Sequence, residues 1–358
     1  MYLFLKAYMI GILRYFLFPL SIIYGFITFL RNKLYDWGIF KATKFDLPII
    51  CVGNLAIGGA GKTPTTEYLV RLLAGYKIAI LSRGYGRKTK GFLLADENAT
   101  SQSIGDEPMQ YYHKFKHITV AVCEDRVYGI NKLKEEHDVI LLDDAYQHRA
   151  VKAGFNLLLF EFDKLLKWQF LLPMGNLRES FSNYHRANAV LVTKSPNPVN
   201  IVDQIDIRKK IDLTIEQRIS FSSIKYGQLI NLFTEETTDE IKGKIIFLLT
   251  GIANPKPLLK HLNEFSANII QFEYPDHHDY SVEDLKALIV AFNEHPTKEK
   301  IIITTEKDSK RLLGDNLKDL LLDLPIFYLP IEIELASKDK FTFDKNILDY
   351  VANAKRIG

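Results

Sequence analysis

Lys62 and Thr63 close a glycine-rich run, Ala56-Ile57-Gly58-Gly59-Ala60-Gly61, that itself follows the apolar segment 49–52. A strand, a glycine-rich turn and a Gly-Lys-Thr step into a helix-compatible stretch form the order a phosphate-binding loop requires. The glycines let the backbone curl so that its N–H groups face a polyphosphate, and the helix that follows adds its N-terminal dipole. In that arrangement Lys62 reaches the β- and γ-phosphates of a nucleotide and Thr63 holds Mg2+. The G-x-x-x-x-G-K-[ST] pattern is not met in full, because its first glycine falls on Ala56. A chance glycine-rich turn is the plainer reading; the strand before and helix after argue against it.

Other polar residues stand at the ends of apolar runs. Segment 138–144 is a hydrophobic strand ending in Asp143 and Asp144. In phosphate-loop enzymes an acid at such a strand tip lies beside the loop and serves the metal, and a second carboxylate can support it. Taken alone, an Asp pair after a strand is a turn or cap, and nearby His148 could be a packing residue. Arg83 and Arg87, in the glycine-containing loop 82–87, could meet phosphates, since ligands of α/β sheets bind at strand C-termini. Asp106, in Gly105-Asp106-Glu107-Pro108, is either a general base or a helix N-cap, and sequence leaves the two open. Arg178, in loop 172–179, carries a guanidinium suited to clamping a phosphate.

Asp276, His277, His278 and Asp279 lie just after another apolar run. Their tight spacing disfavours joint metal ligation, whereas a histidine working with a carboxylate could take a hydroxyl proton. Lys307 and Asp308, after the run 300–304, resemble a base-reading loop or simply cap a helix.

Positioning these residues takes alternating strands and helices. Apolar β-rich runs at 47–52, 77–81, 138–142, 155–160 and 189–193, with a helix expected over 65–74, predict a doubly wound, mostly parallel sheet. A second α/β series follows at 244–250, 268–274, 300–304 and 325–329. The expected division is an N-terminal apolar helix in 1–35, a phosphate-loop domain in 36–215, a polar connecting region in 216–242 and a second, smaller α/β domain in 243–358. At 47% hydrophobic and 25% charged, the chain is globular in composition. A net charge of +3 is too small to argue for nucleic acid. Two cysteines, Cys51 and Cys123, make no disulfide framework, which suits a reducing, cytoplasmic setting.

The uncharged run 15–30 is shorter than the roughly 20 residues that cross a bilayer. Pro19 interrupts it, and Arg31, Lys33, Lys41 and Lys44 follow as a basic collar. An interfacial anchor, a single span and a buried core helix all compete; the aromatics and the collar favour the anchor.

Together the segments VGNLAIGGAGKTP, SRGYGR, GDEP, LLDDAYQH, PMGNLRE, YPDHHDY and TTEKD resemble, in order, the tetraacyldisaccharide 4'-kinases of lipid A biosynthesis. The resemblance runs from Val52 to about Leu312. It implies transfer of the γ-phosphate of ATP, with Mg2+, to the 4'-hydroxyl of an acylated glucosamine disaccharide 1-phosphate at the cytoplasmic face of the inner membrane, with no obligate protein partner. It further implies that the loop 56–63 binds nucleotide and that Thr63, Asp143 and Asp144 serve the metal. Lys62 and Arg178 would contact phosphate, Asp106 would act as base or in a dyad with His277, and Asp276 would support that histidine. Ala145-Tyr146 departs from the family's usual glycine and apolar residue. Alternatives from other classes are a regulatory phosphate-loop NTPase at the membrane and a non-catalytic nucleotide sensor.

Overall fold

The computed structural model describes residues 14–214 and 217–355; residues 1–13 of the expected N-terminal helix and the expected boundary at 215 and 216 lie outside them. The strands are, in chain order, β1 (Ile49–Asn54), β2 (Ile78–Ser82), β3 (Leu93–Leu94), β4 (Thr119–Val122), β5 (Val139–Asp143), β6 (Phe155–Glu161), β7 (Ala189–Thr193), β8 (Arg218–Tyr226), β9 (Leu229–Asn231), β10 (Thr237–Thr238), β11 (Ile245–Thr250), β12 (Ile269–Glu273), β13 (Lys300–Thr305), β14 (Ile326–Leu329) and β15 (Ile331–Leu335). Among the described residues they form two sheets, ordered β15-β8-β7-β6-β1-β5-β2-β4-β3 and β10-β9-β14-β13-β11-β12. Pairing is parallel from β8 through to β4 and from β14 through to β12, with antiparallel strands only at the margins.

Every residue of β1, β2, β5 and β7 is buried, which is why these strands read as unbroken apolar runs: helices cover both faces. Alternate residues serve opposite layers. Ile49, Cys51, Ile140 and Leu142 pack with Ile130 and Leu133 of helix Arg126–Leu133. Ile50, Val52, Val139 and Leu141 pack with Leu69 and Val70 of the phosphate-loop helix Lys62–Leu72. Each such side chain contributes about 1.5–3 kcal/mol by leaving water. Cys51 is plain core, its thiol pushed up to about 12 by burial.

Sheet membership departs from the division read in sequence. β8 lies within the supposed connecting region yet extends the first sheet beside β7, and β15 returns from the second unit to pair antiparallel with β8. The terminal helix Ser337–Lys355 then sets Phe343, Ile347 and Val351 into the first sheet's core. Tyr350 Oη accepts from the N–H of Ile49 and donates to its C=O. The second sheet is thus an insertion carried on two adjacent strands, which corrects the 216–242 and 243–358 boundaries. The β8 signal is weak in sequence because two of its buried residues are serines, Ser220 and Ser222.

The N-terminal helix spans Phe18–Asp36, with Pro19 in its first turn, where a missing N–H is harmless. Its buried residues are the polar Ser21 and Asn32, while Phe18, Ile22, Ile23, Phe26, Ile27 and Phe29 are 50–64% exposed. It is not a buried core helix. Among the described residues no helix is long and apolar enough to cross a membrane.

Candidate active site

The phosphate loop leaves β1 at Asn54 and turns through residues 55–61. Gly58 and Gly61 adopt φ of 102° and 78°, left-handed values that glycine takes without strain. Ala56 needs no such freedom, because it forms an antiparallel bridge with Leu177. Ile57 N–H donates to Asn176 C=O at 2.8 Å and Arg178 N–H to Leu55 C=O at 2.7 Å. The glycine absent from the sequence pattern is therefore absent where the chain is extended, and the pairing segment brings Arg178 to the loop. Lys62 opens the helix, with Nζ 3.4 Å from Asn54 Oδ1 and 3.6 Å from Asp144 Oδ1. The first amides of that helix have no intrahelical acceptor and stand ready for an anion.

Asp143 and Asp144 end β5, next to β1 in the sheet. Asp143 is buried; Tyr111 donates to its Oδ2 at 3.1 Å, while its Oδ1 is buried with no hydrogen-bond partner. Burial first, and then the neighbouring Asp144 charge, push its carboxyl up to about 7. An orphaned oxygen beside a second carboxylate is the donor set that Mg2+ takes together with phosphate oxygens. Asp144, at φ 48°, has its carboxylate against Lys62 and Arg178. Arg178 Nη1 donates to both its oxygens, at 2.9 and 3.1 Å. Burial alone would raise the Asp144 carboxyl, but Lys62 and Arg178 together hold it below its usual range.

Asp106 opens the helix Asp106–Lys114, yet its side chain caps nothing: Gly105 holds the N-cap position at φ 96°. A Cβ on Gly105 would stand 2.9 Å from Tyr85 C=O, so only glycine fits the approach of loop 82–87. Freed from capping, the Asp106 carboxylate reaches the second sheet. Its Oδ2 lies 3.1 Å from His277 Nδ1 and accepts from Arg311 Nε at 3.0 Å and Nη2 at 2.5 Å. Burial works against the charged form, but the hydrogen bonds of His277 and Arg311 prevail and hold the carboxyl at about 2. His277, at φ 61°, has its Nε2 3.1 Å from Lys307 Nζ. With the lysine donating there, the ring accepts at Nε2 and donates from Nδ1 to Asp106. Tyr85 packs edge-on to the same ring at 5.6 Å.

Several residues named from sequence are placed elsewhere. Asp276 is exposed and only 4.0 Å from His277 Nε2, so the close carboxylate of that imidazole is Asp106. His278 turns away to Asp284 at 2.8 Å and stacks on Tyr274, so the Asp-His-His-Asp run converges on nothing. Arg87 is taken by Glu124 at 2.6 Å, whereas Arg83 is exposed. Asp308 accepts from Gly251 N–H, from Thr305 Oγ1 and from Arg311, which makes it a buttress for Arg311. Tyr146 packs its Cβ against Gly53 and donates to Asn183 C=O at 2.7 Å, filling the space that its bulk requires.

Sequence reading missed Arg311, Arg126, Glu179 and the pair Thr193-Lys194. Lys307 and Arg311 at i and i+4 after a strand would have signalled a cationic helix face. Arg126 is buried at the start of its helix; burial and the Arg83 charge lower it, while Asp143 and Asp144 oppose. Buried Glu179 gathers Asn32, Gln147, Asn183 and Arg186. Thr193 Oγ1 donates to Ala60 C=O at 2.9 Å, bracing the phosphate loop from β7.

This arrangement of loop, acids and imidazole matches a known family: a model of the tetraacyldisaccharide-1-P 4'-kinases aligns with residues 13–351. The chain belongs to that family. A tetraacyldisaccharide 4'-kinase of Flavobacterium johnsoniae is 46% identical over 346 residues, covering 95% of this chain and 98% of the relative. One from Phocaeicola vulgatus is 44% identical over 350 residues, covering 95% and 96%. Among solved structures, LpxK of Aquifex aeolicus in complex with ATP is similar at 30% identity and a TM-score of 0.74, covering 95% of this chain and 99% of that one. The tetraacyldisaccharide-1-P 4'-kinase family thus accounts for the α/β fold and for an ATP-dependent enzyme, and it agrees with the resemblance read from the motifs.

Proposed function

We propose that the protein transfers the γ-phosphate of ATP to the 4'-hydroxyl of a tetraacyldisaccharide 1-phosphate, giving the bis-phosphorylated lipid IVA of lipid A biosynthesis. The observation that carries this reading is the Asp106–His277 pair. It joins the two sheets, and its helix is tied through Tyr111 to Asp143 beside the phosphate loop.

In this reading loop 56–63 cradles the nucleotide, with Lys62 on the β- and γ-phosphates. Thr63, Asp143 and Asp144 would hold Mg2+, which when bound neutralises charge on the β- and γ-phosphate oxygens. The acceptor oxygen attacks the γ-phosphorus, the bond to the β-phosphate oxygen breaks, and ADP leaves. The hydroxyl proton passes to the Asp106–His277 pair, at the Asp106 carboxylate or at His277 Nε2 once Lys307 gives up that nitrogen. Asp106 fixes the ring through Nδ1, and Lys307 and Arg311 hold both members in place. Arg178 leaves Asp144 for phosphate when the nucleotide arrives. Asp276, exposed and 4.0 Å from Nε2, adds a solvent-screened field on the ring.

Site and substrate also meet at the membrane. The N-terminal helix docks through its polar face: Ser21 Oγ donates to Leu171 C=O, Tyr24 Oη to Arg178 C=O, and Asn32 Nδ2 to Glu179. Its apolar face points outward, next to exposed Lys41 and Lys44. A helix built this way lies in the bilayer interface and holds the Arg178 loop against the cytoplasmic leaflet, where an acylated acceptor resides. The reading as a regulatory NTPase is not favoured, since it leaves the cross-sheet pair without a task.

The test is transfer from γ-labelled ATP to a tetraacyldisaccharide 1-phosphate in detergent micelles. Wild type forms labelled lipid and Asp106→Ala nearly none. Hydrolysis that is indifferent to acceptor, without labelled lipid, would return the switch reading.

A further inference from the structure

Away from the reacting groups, one lysine bridges three elements. Lys114 ends the helix that Asp106 begins. Its Nζ lies 2.8 Å from Glu67 Oε2, on the phosphate-loop helix, and 2.9 and 3.0 Å from both oxygens of Glu306, at the start of the helix Glu306–Leu312. Gln110 Nε2 donates to the other Glu67 oxygen at 2.8 Å. Glu67 is fully buried and Glu306 nearly so. Arg71 stands 3.9 Å off Glu67, a partial counter-charge at the rim.

The two helices pair crosswise. Asp106 meets Arg311 at one end, Glu107 meets Lys307 at 2.9 Å, and Lys114 meets Glu306 at the other end. About 12 Å of helix separates Asp106 from Lys114. Nothing in that separation lets Lys114 touch a substrate held at Asp106.

A buried charged set of this kind is not a thermodynamic necessity, since packed apolar residues would hold the helices as firmly. Charge-assisted bonds differ in being directional. A lysine in ion-pair contact with Glu67 and donating to both oxygens of Glu306 admits one register of the second sheet's helix against the first. Burial first, and then Glu306, raise the Glu67 carboxyl, while the two carboxylates raise Lys114 against its own burial. Both follow from one cation serving two carboxylates, the deeper of which bears the cost.

We propose that Lys114 is a positioning residue for the reaction. Bridging Glu67 to Glu306, it sets the register of the helix that carries Lys307 and Arg311, and through them the approach of His277 to Asp106. The role rests on the kinase reading above, so its test needs one readout that does not depend on turnover.

Lys114→Met, Lys114→Arg, Glu306→Gln and the double variant Lys114→Met/Glu306→Gln are compared with wild type in full-length protein. The expected result is a tenfold or greater fall in kcat for Lys114→Met and for Glu306→Gln, with ATP affinity within twofold of wild type. The double variant falls no further than either single one, and Lys114→Arg keeps most of the activity. Spin labels at exposed Glu97 and Lys286 report the distance between the two sheets. That distance broadens in Lys114→Met and stays as in wild type in Lys114→Arg. An unchanged distance distribution in Lys114→Met, or losses that multiply in the double variant, would overturn the proposal. Should Lys114→Met not fold, Glu306→Gln decides on the same two readouts. A wild type that makes no labelled lipid refutes the kinase reading instead, and the distance measurement still judges the bridge.

Discussion

His277 Nδ1 stands 3.1 Å from Asp106 Oδ2, although 171 residues separate them and each lies beside a different sheet. Neither residue is prepared for this by its own neighbours in sequence. Gly105 takes over the cap that Asp106 would otherwise make, and the left-handed turn at His277 lifts the ring clear of the Tyr274–His278 stack.

Asp106→Asn keeps the shape of the carboxylate and removes its charge. Transfer to the acyl disaccharide is expected to fall by about 10²- to 10⁴-fold, the range for losing a positioned proton acceptor, with ATP affinity little changed. A variant with wild-type kcat would show that the pair is structural.

Gly105→Ala forces a Cβ against Tyr85 C=O at a φ of 96°. About 1–3 kcal/mol of strain should appear as a lower melting temperature, or be relieved by displacement of loop 82–87 with a loss of kcat. A protein unaffected in both respects would mean that the loop tolerates the approach.

The raised carboxyl of Glu67 gives stability a pH dependence with a definite sign. A carboxyl whose folded value, about 7, exceeds its reference of 4.5 adds stability below the reference and forfeits it as pH climbs through the folded value. Glu67→Gln is therefore expected to melt higher relative to wild type at pH 8 than at pH 5. Equal differences at the two pH values, followed by calorimetry without nucleotide, would contradict the assignment.

Charging the outward face of the N-terminal helix should detach the protein from lipid. Ile23→Lys/Phe26→Lys removes two exposed apolar side chains, each contributing about 1.5–3 kcal/mol when buried in an apolar phase. Sedimentation with anionic vesicles should show at least a tenfold loss of association, while nucleotide affinity stays as in wild type. Undiminished association would place the lipid contact elsewhere.

The nucleotide half of the site was legible because its chemistry is local. Lys62 follows its strand within one turn, and Asp143 and Asp144 cap a run of apolar residues that can only be a buried strand. Ala56, the misfit in the pattern, concealed only the loop's pairing with Leu177. The acceptor half depends on contacts across the cleft, where spacing alone paired no residues; the Asp106–His277 dyad and the support of Asp276 came only with the family resemblance. The fold adds Lys307 to that set, with Asp106 at 3.1 Å from the ring and Asp276 at 4.0 Å. Arg311 went unnoticed because its partner Asp106 lies 205 residues away in the chain. The sheet division erred for a related reason: β8 hides its buried face behind serines, and β15 lies a single residue beyond β14 yet joins the other sheet.

The return of the terminal helix to the first sheet has a consequence for how the protein is made. Phe343, Ile347 and Val351 complete the core beneath the phosphate-loop helix, and Tyr350 is bonded to Ile49, the first residue of the strand that leads to the loop. A ribosome has therefore made nearly the whole chain before the nucleotide half can close its core, whereas the inserted second sheet has all its strands by Leu329 and can fold first. The N-terminal helix Phe18–Asp36 precedes both in the chain, so its exposed apolar face emerges while the ATP site is still unfinished.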